Sequence, residues 1–142
     1  MGSRSIWVEG HPQPQGSMRG FVHKGRVLLT DSNKKLKPWR NQIASVASEL
    51  GLPEFKGAVK LEVVFFLPCP RYSAKAHDKA DVFPTKRPDL DKLLRAIGDA
   101  LTDVWFADDS QVVEIHAVKA MNHPLREGSE AGVLITCTEL TS

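Results

Sequence analysis

Leu90, Leu93, Leu94, Ile97 and Leu101 fall on one narrow arc when the chain is turned at 100° per residue. The spacing predicts a core-facing helix over residues 89–103, with Pro88 before it and Asp89 at the capping position. Such a helix requires an apolar surface to lie on. Residues 58–67 (AVKLEVVFFL) supply one, mixing alternation with a nearly continuous apolar run, as in a central strand covered on both faces. Pro68 and Pro70 end that strand.

Shorter signals fill in the remainder. Residues 5–9 read as a strand, stopped by the Pro/Gln/Gly-rich residues 11–16. Phe21-Val22 and Val27-Leu28-Leu29 flank Lys24-Gly25 and predict a hairpin. Asp31, Ser32 and Asn33 are candidate caps for a helix along which Trp39, Ile43, Val46, Ala47 and Leu50 recur, ending at Gly51-Leu52-Pro53. Residues 111–121 and 132–138 are rich in β-formers, and the polar link 122–131 between them predicts a closing antiparallel pair. Trp7, Trp39, Trp105 and Phe106 are candidates for core, interface or base-stacking roles, and the core is the expected place for most of them.

With 142 residues, 42% of them hydrophobic and 25% charged, the chain is expected to be one domain over residues 1–142 with one core. Residues 1–4 are expected to be disordered or an expression remnant. No apolar run approaches the roughly 18 residues of a membrane span, and residues 1–10 lack the apolar core of a signal peptide. The expected location is the cytoplasm. Cys69 and Cys137 stand outside any CxxC pair and read as buried free thiols rather than zinc ligands.

The net charge of +2 is small, but its distribution is uneven. Arg19, Lys24, Arg26, Lys34, Lys35, Lys37 and Arg40 face a single acid, Asp31, between positions 18 and 40. A polar loop over residues 71–87 adds Arg71, Lys75, Lys79, Lys86 and Arg87 against Asp78 and Asp81. Loops of that length are commonly functional, and poor order without ligand is expected. Solvated surface lysines and phosphate-neutralising segments fit these clusters equally well.

Two acidic motifs carry the chemistry. Asp91, Arg95 and Asp99 recur at i, i+4 and i+8 along one helix flank, and Asp89 at the cap is free to turn toward Asp91. Asp108-Asp109 follows in a connection before a strand able to lie beside that helix. Taken singly, each pair fits helix-dipole or turn chemistry. Brought together, two carboxylates 4 Å apart repel by about 4 kcal/mol at an effective dielectric near 20, so protons or a divalent cation must neutralise them. Oxygen-only ligation favours Mg²⁺, with Mn²⁺ as a substitute, over zinc. His116, alone downstream, reads as a surface or packing residue.

Residues 87–102 (RPDLDKLLRAIGDALT), then 105–113 (WFADDSQVV) and Lys119, resemble the signature of the RusA family of Holliday junction resolvases, and residues 10–16 (GHPQPQG) echo it more loosely. The resemblance implies an α+β fold, a mixed sheet carrying two main helices. It also implies a homodimer acting on four-way branched DNA in recombination, repair or phage DNA processing, in a bacterial or phage-infected host cell and with no small-molecule cofactor beyond the metal.

It carries the family's catalytic aspartates onto Asp89, Asp91 and Asp109, with Asp108 beside them as a further metal ligand. The family's site lysine falls on Arg95, which stays protonated and so can pair with phosphate but not transfer a proton near neutrality. Lys92, where the family usually has Asn, is an alternative cation, and Asp99 matches a further family acid while also suiting a helix flank. Arg19, Lys24, Arg26, Lys34, Lys35, Lys75, Lys79, Lys86, Arg87, Lys92 and Lys119 are the candidate DNA-binding residues, and Phe83 is a candidate wedge at the junction centre. Cleavage of forks or flaps, and an inactive architectural role at junctions, are the alternative readings.

Overall fold

The computed structural model describes residues 2–16, 19–30, 33–68, 84–121 and 130–140. Strands β1 (Ser3–Glu9), β4 (Val59–Leu67), β5 (Val112–Met121) and β6 (Gly132–Glu139) form one mixed sheet in the order β1-β6-β4-β5. Strands β2 (Arg19–His23) and β3 (Arg26–Thr30) form a separate antiparallel hairpin. Helices α1 (Leu36–Ser48) and α2 (Leu90–Leu101) pack on each other over one face of the four-stranded sheet. This is the expected α+β arrangement.

The topology departs from the expected closing pair. β5 and β6 are not neighbours: β5 runs parallel to β4, and β6 lies antiparallel between β4 and β1. Both strands carry similar β-rich patterns, so periodicity could identify them without choosing their partners. β4 is central, as predicted, but only one of its faces is closed. Val59, Leu61, Val63, Phe65 and Leu67 are buried toward the helices, whereas Glu62 is exposed and Val64 and Phe66 are half-buried. The second face carries Trp7 and Leu134, and Trp7 meets Phe66 edge-on at 5.8 Å between ring centres.

Within the core, α2 contributes Leu93, Ile97 and Leu101 with Ala96 and Ala100, while Leu90 and Leu94 lie at its margin. Each fully buried leucine or isoleucine contributes roughly 1.5–3 kcal/mol, so the stripe read from sequence is what fixes this helix to the sheet. α1 adds Leu36, Trp39, Ile43 and Ala47. It begins later than expected, with Lys35 at the cap making no side-chain bond, and Asn33 Oδ1 instead accepts from Lys35 N at 3.0 Å. Asp31 and Ser32 lie outside the described residues. Leu50 falls beyond the last turn and is exposed, because Gly51 at φ 63° turns the chain away.

Ser3 and Arg4, within the segment expected to be disordered or a remnant, lie in β1. Ser3 and Arg4 pair with Thr138 and Cys137, and the Arg4 guanidinium lies 3.8 Å over the Phe55 ring. This cation–π contact and a bond from Nη1 to Pro53 O at 3.0 Å hold the strand's start. Trp39, Trp105 and Phe106 are buried as expected, whereas Trp7 is not. Cys137 is a buried free thiol, and burial pushes it up to about 11; Cys69 lies outside the described residues.

Lys24 and Gly25 both have positive φ, 51° and 75°, the backbone a two-residue hairpin turn requires. Gly10 is the other glycine with a clear task. Its φ of 140° swings the chain out of β1, and a Cβ there would sit 3.0 Å from the Trp39 ring. The chain then runs as an irregular strap over residues 11–16, which Gln15 ties to α2 through Lys92 O and to α1 through Arg40. Among the described residues no helix is long and apolar enough to cross a membrane.

Candidate metal centre and nucleic-acid interface

Asp89 takes the N-cap position of α2 in extended conformation, as its sequence position predicts, yet its carboxylate makes no cap hydrogen bond. It instead meets Lys92 Nζ at 3.5 Å. Asp91, Arg95 and Asp99 follow along one flank of the helix, all exposed. The second acidic motif reaches them through a compact turn. Thr102 caps α2, Asp103 adopts φ 68°, and Trp105 and Phe106 are driven into the core. Trp105 Nε1 donates to Ala47 O at 3.2 Å, which ties the connection to α1.

Out of this anchor rises a 3₁₀ turn, Asp109–Gln111, with Asp108 as its cap. Asp108 Oδ1 accepts from Ser110 N at 2.8 Å, and those Ser110 hydrogen bonds hold its carboxyl below the usual value. Gln111 reciprocates, its Oε1 accepting from Asp108 N at 3.2 Å and Ala107 N at 2.9 Å. The same side chain donates to Phe55 O at 2.9 Å and Gly57 O at 3.0 Å. Asp109 is left exposed and points at α2, where Gly98 gives it room: a Cβ on Gly98 would stand 3.9 Å from Asp109 Cβ.

The two motifs therefore meet. Asp91, Arg95, Asp99 and Asp109 line one cleft of about 430 Å³, with Gln15 and Ile115 in its wall. Asp89 lines a neighbouring cleft of about 500 Å³ together with Gln13, Asn33, Arg87 and Lys92. The strap separates the two, bound to the helix by Gln15 N donating to Lys92 O at 2.9 Å.

Among the described residues no three His, Cys, Asp or Glu side chains stand close enough to chelate an ion. The donor set nevertheless fits a hard cation. Mg²⁺ keeps several waters and commonly takes only one or two protein carboxylates, the remaining positions going to substrate phosphate. Asp91 and Asp109 offer that pair, without sulfur or imidazole in the cleft.

The basic residues divide into groups. Lys24 and Arg26 are exposed at the tip of the hairpin, and Lys34 and Lys35 are exposed before α1. Arg19 begins β2. Exposed Lys86 and Arg87 precede the helix, with Arg87 and Lys92 in the Asp89 cleft. Lys119 is committed elsewhere, its Nζ donating to Lys86 O at 3.1 Å and Pro88 O at 3.0 Å, so it holds the start of α2 in place. Lys75, Lys79 and Phe83 lie outside the described residues. His116 is a surface residue 3.3 Å from Glu114.

Three residues build the site in ways the sequence did not assign to them. Gln111 had a legible signal, since Asp108-Asp109-Ser110-Gln111, an Asp with a Gln three residues on, is a capping-box spacing. Gln15 and Arg40 had none, because their partner Asp99 is remote in the chain.

The family profile described as Endodeoxyribonuclease RusA matches residues 9–136, from the end of β1 through most of β6. A relative from Bacillus subtilis (strain 168), "Uncharacterized protein YqaN", is 35% identical over 120 residues, covering 79% of this chain and 83% of the relative. The match takes in both acidic motifs, the strap and strands β4 and β5, and the chain belongs to the RusA family of endodeoxyribonucleases.

Proposed function

We propose that this protein resolves four-way DNA junctions by paired, Mg²⁺-dependent phosphodiester hydrolysis, acting as a homodimer. One observation carries the reading: Asp91 and Asp109, from two separate motifs of a RusA-family chain, line the same cleft beside Arg95.

Asp91 and Asp109 would hold the ion. Asp89, with its cap hydrogen bond unmade, can join them by leaving Lys92. Once bound, Mg²⁺ would polarise the scissile phosphate and lower the pKa of the attacking water. Arg95 would present a planar cationic donor fork to the phosphate and orient the group without moving a proton. Arg87 and Lys92, which line the adjoining cleft, would neutralise a neighbouring stretch of the same backbone. In hydrolysis the water oxygen bonds to phosphorus and the bond to the 3′ oxygen breaks, leaving 5′-phosphate and 3′-hydroxyl ends that a ligase can rejoin.

A four-way junction offers two scissile phosphates related by a two-fold axis, and one cleft per subunit of a symmetric dimer matches them. The test is to incubate a synthetic four-way junction, a fork and a linear duplex with Mg²⁺ or with EDTA and to map the nicks. Paired symmetric nicks in the junction, present only with metal, are expected. Cutting confined to forks or flaps would move the substrate, binding without nicks would indicate an architectural protein, and cutting in EDTA would overturn the carboxylate assignment. Asp91→Asn is expected to abolish cleavage while leaving junction binding intact or tighter.

A further inference from the structure

The strap across the two clefts is held by a three-residue network. Arg40 Nη1 donates to Gln15 Oε1 at 3.0 Å and stands 3.6 Å from Asp99 Oδ2, while Gln15 Nε2 donates to that same oxygen. The amide of Gln15 is thereby fixed in orientation, with its oxygen toward the cation of α1 and its nitrogen toward the acid of α2. Next to it, Gln15 N binds Lys92 O, one residue past Asp91. On the far side Asn33 Nδ2 donates to Gln13 Oε1 at 3.0 Å and Pro14 O at 3.3 Å. The two prolines at 12 and 14 stiffen the segment, since each fixes its own φ and restricts the residue before it.

Asp99 shares its cleft with Asp91 and Asp109, so it has the position of a further metal ligand. Its partners give it another occupation. A carboxylate already facing a guanidinium and an amide N–H is poorly suited to shed them for an ion, whereas Asp91 and Asp109 form no ion pair among the described residues.

We infer that Gln15 is a positioning residue for the nuclease centre, clamped between Arg40 and Asp99 so that the strap stands as a fixed wall between the Asp91–Asp109 cleft and the Arg87–Lys92 cleft, and that Asp99 serves this clamp instead of the metal. A DNA backbone reaching from one cleft to the other must pass over this wall, and its height and rigidity set where the phosphate meets Asp91 and Asp109. The inference rests on the nuclease reading above for its effect on cutting, but not for the clamp itself.

The network permits a swap that separates the roles. Gln15→Glu is isosteric and places a second carboxylate against Asp99, removing the donor between them. Gln15→Glu with Asp99→Asn restores a donor–acceptor pair in the reversed sense and returns the total charge to its original value. Misplacing a reacting group by about 1 Å can cost on the order of a hundredfold, so a wall shifted by less is expected to lower kcat by about tenfold in Gln15→Glu, with KM for the junction changed less than about threefold. The double variant is expected to recover kcat to within about threefold of the native protein. A metal-ligand role for Asp99 predicts the reverse, with the double variant worse than either single change and its Mg²⁺ requirement raised.

Hydrogen exchange gives a readout independent of cutting. The backbone amide of residue 15 is expected to exchange about tenfold faster in Gln15→Glu and to regain protection in the double variant, with global unfolding unchanged. Unaltered exchange in Gln15→Glu, or failure of the double variant to restore it, overturns the clamp. If the native protein cuts no DNA, the nuclease reading fails while the exchange result still decides on the clamp.

Discussion

Asp108 and Gln111 hold each other in a reciprocal cap: the Asp108 carboxylate engages the backbone of the turn, and the Gln111 amide oxygen accepts from Asp108 N at 3.2 Å. The neighbouring Asp109 has no such duty and faces the cleft with Asp91. Adjacent acids of the same motif thus have different work, one shaping the turn and one presented by it.

Substitution should separate them. Asp108→Asn retains a good capping side chain and is expected to keep cleavage within about tenfold of native, while Asp108→Ala is expected to lower the unfolding midpoint by removing the cap on Ser110 N. Asp109→Asn should remove cleavage with the unfolding midpoint unchanged. Gln111→Ala is expected to be the more damaging structural change, because four hydrogen bonds, to Ala107, Asp108, Phe55 and Gly57, depend on one amide. Chemical denaturation and nicking assays on the four variants decide this.

Gly98 sets the separation of helix and acid turn. A methyl group there stands at ordinary contact distance, 3.9 Å from Asp109 Cβ. Gly98→Ala is therefore expected to raise stability by roughly 0.5–1 kcal/mol through helix propensity and to cut nearly as well as native. Gly98→Leu should displace Asp109 and depress cutting while the protein still folds, as circular dichroism and nick mapping would show.

Lys119 bridges β5 to the entry of α2 through two carbonyls. Lys119→Met should lower stability by about 1–2 kcal/mol. If the ammonium works only in this hold, the slope of log affinity for DNA against log salt remains that of the native protein; a phosphate contact would instead reduce that slope by about 1. Salt titrations of junction binding distinguish the two.

Cys137 links stability to alkaline pH. Burial in the core raises its thiol from 9.0 to about 11, against a smaller opposing effect from Arg4. A group whose folded value is raised contributes stability that is complete below the unfolded value and disappears as pH climbs through the folded one. The native protein is therefore expected to lose stability between pH 9 and about 11, and Cys137→Ala should flatten that part of the profile. Alkylating reagents should leave the native thiol unmodified at neutral pH and label it after unfolding.

Both helices were legible because helical periodicity is local: Leu93, Ile97 and Leu101 declare a buried face without reference to anything distant. The hairpin was legible for the same reason, since Lys24-Gly25 sets its turn within the hairpin itself. The order of strands was not, because β5 and β6 present similar patterns and their choice of neighbours is made by the closing of the whole sheet. Within the site, the meeting of the Asp91 flank with Asp109 could be anticipated from two motifs joined by one helix. The clamp of Gln15, Arg40 and Asp99 joins three remote parts of the chain, and the exposure of Asp89 to a different cleft from Asp91 depends on the strap between them; neither leaves a periodic trace. Arg4 was discounted by its nearness to the terminus, where its stacking on Phe55 could not be read.

β6 enters the sheet between two strands that precede it in the chain, β1 and β4. During synthesis, both acid motifs emerge before the strand that completes the platform beneath them. Until that insertion, β1 has no ladder to join and β4 keeps one open edge, so assembly must wait for contacts made across most of the chain. The platform is accordingly completed late, and a nascent chain stalled short of residue 132 would carry both acid motifs without the strand that joins β1 to β4.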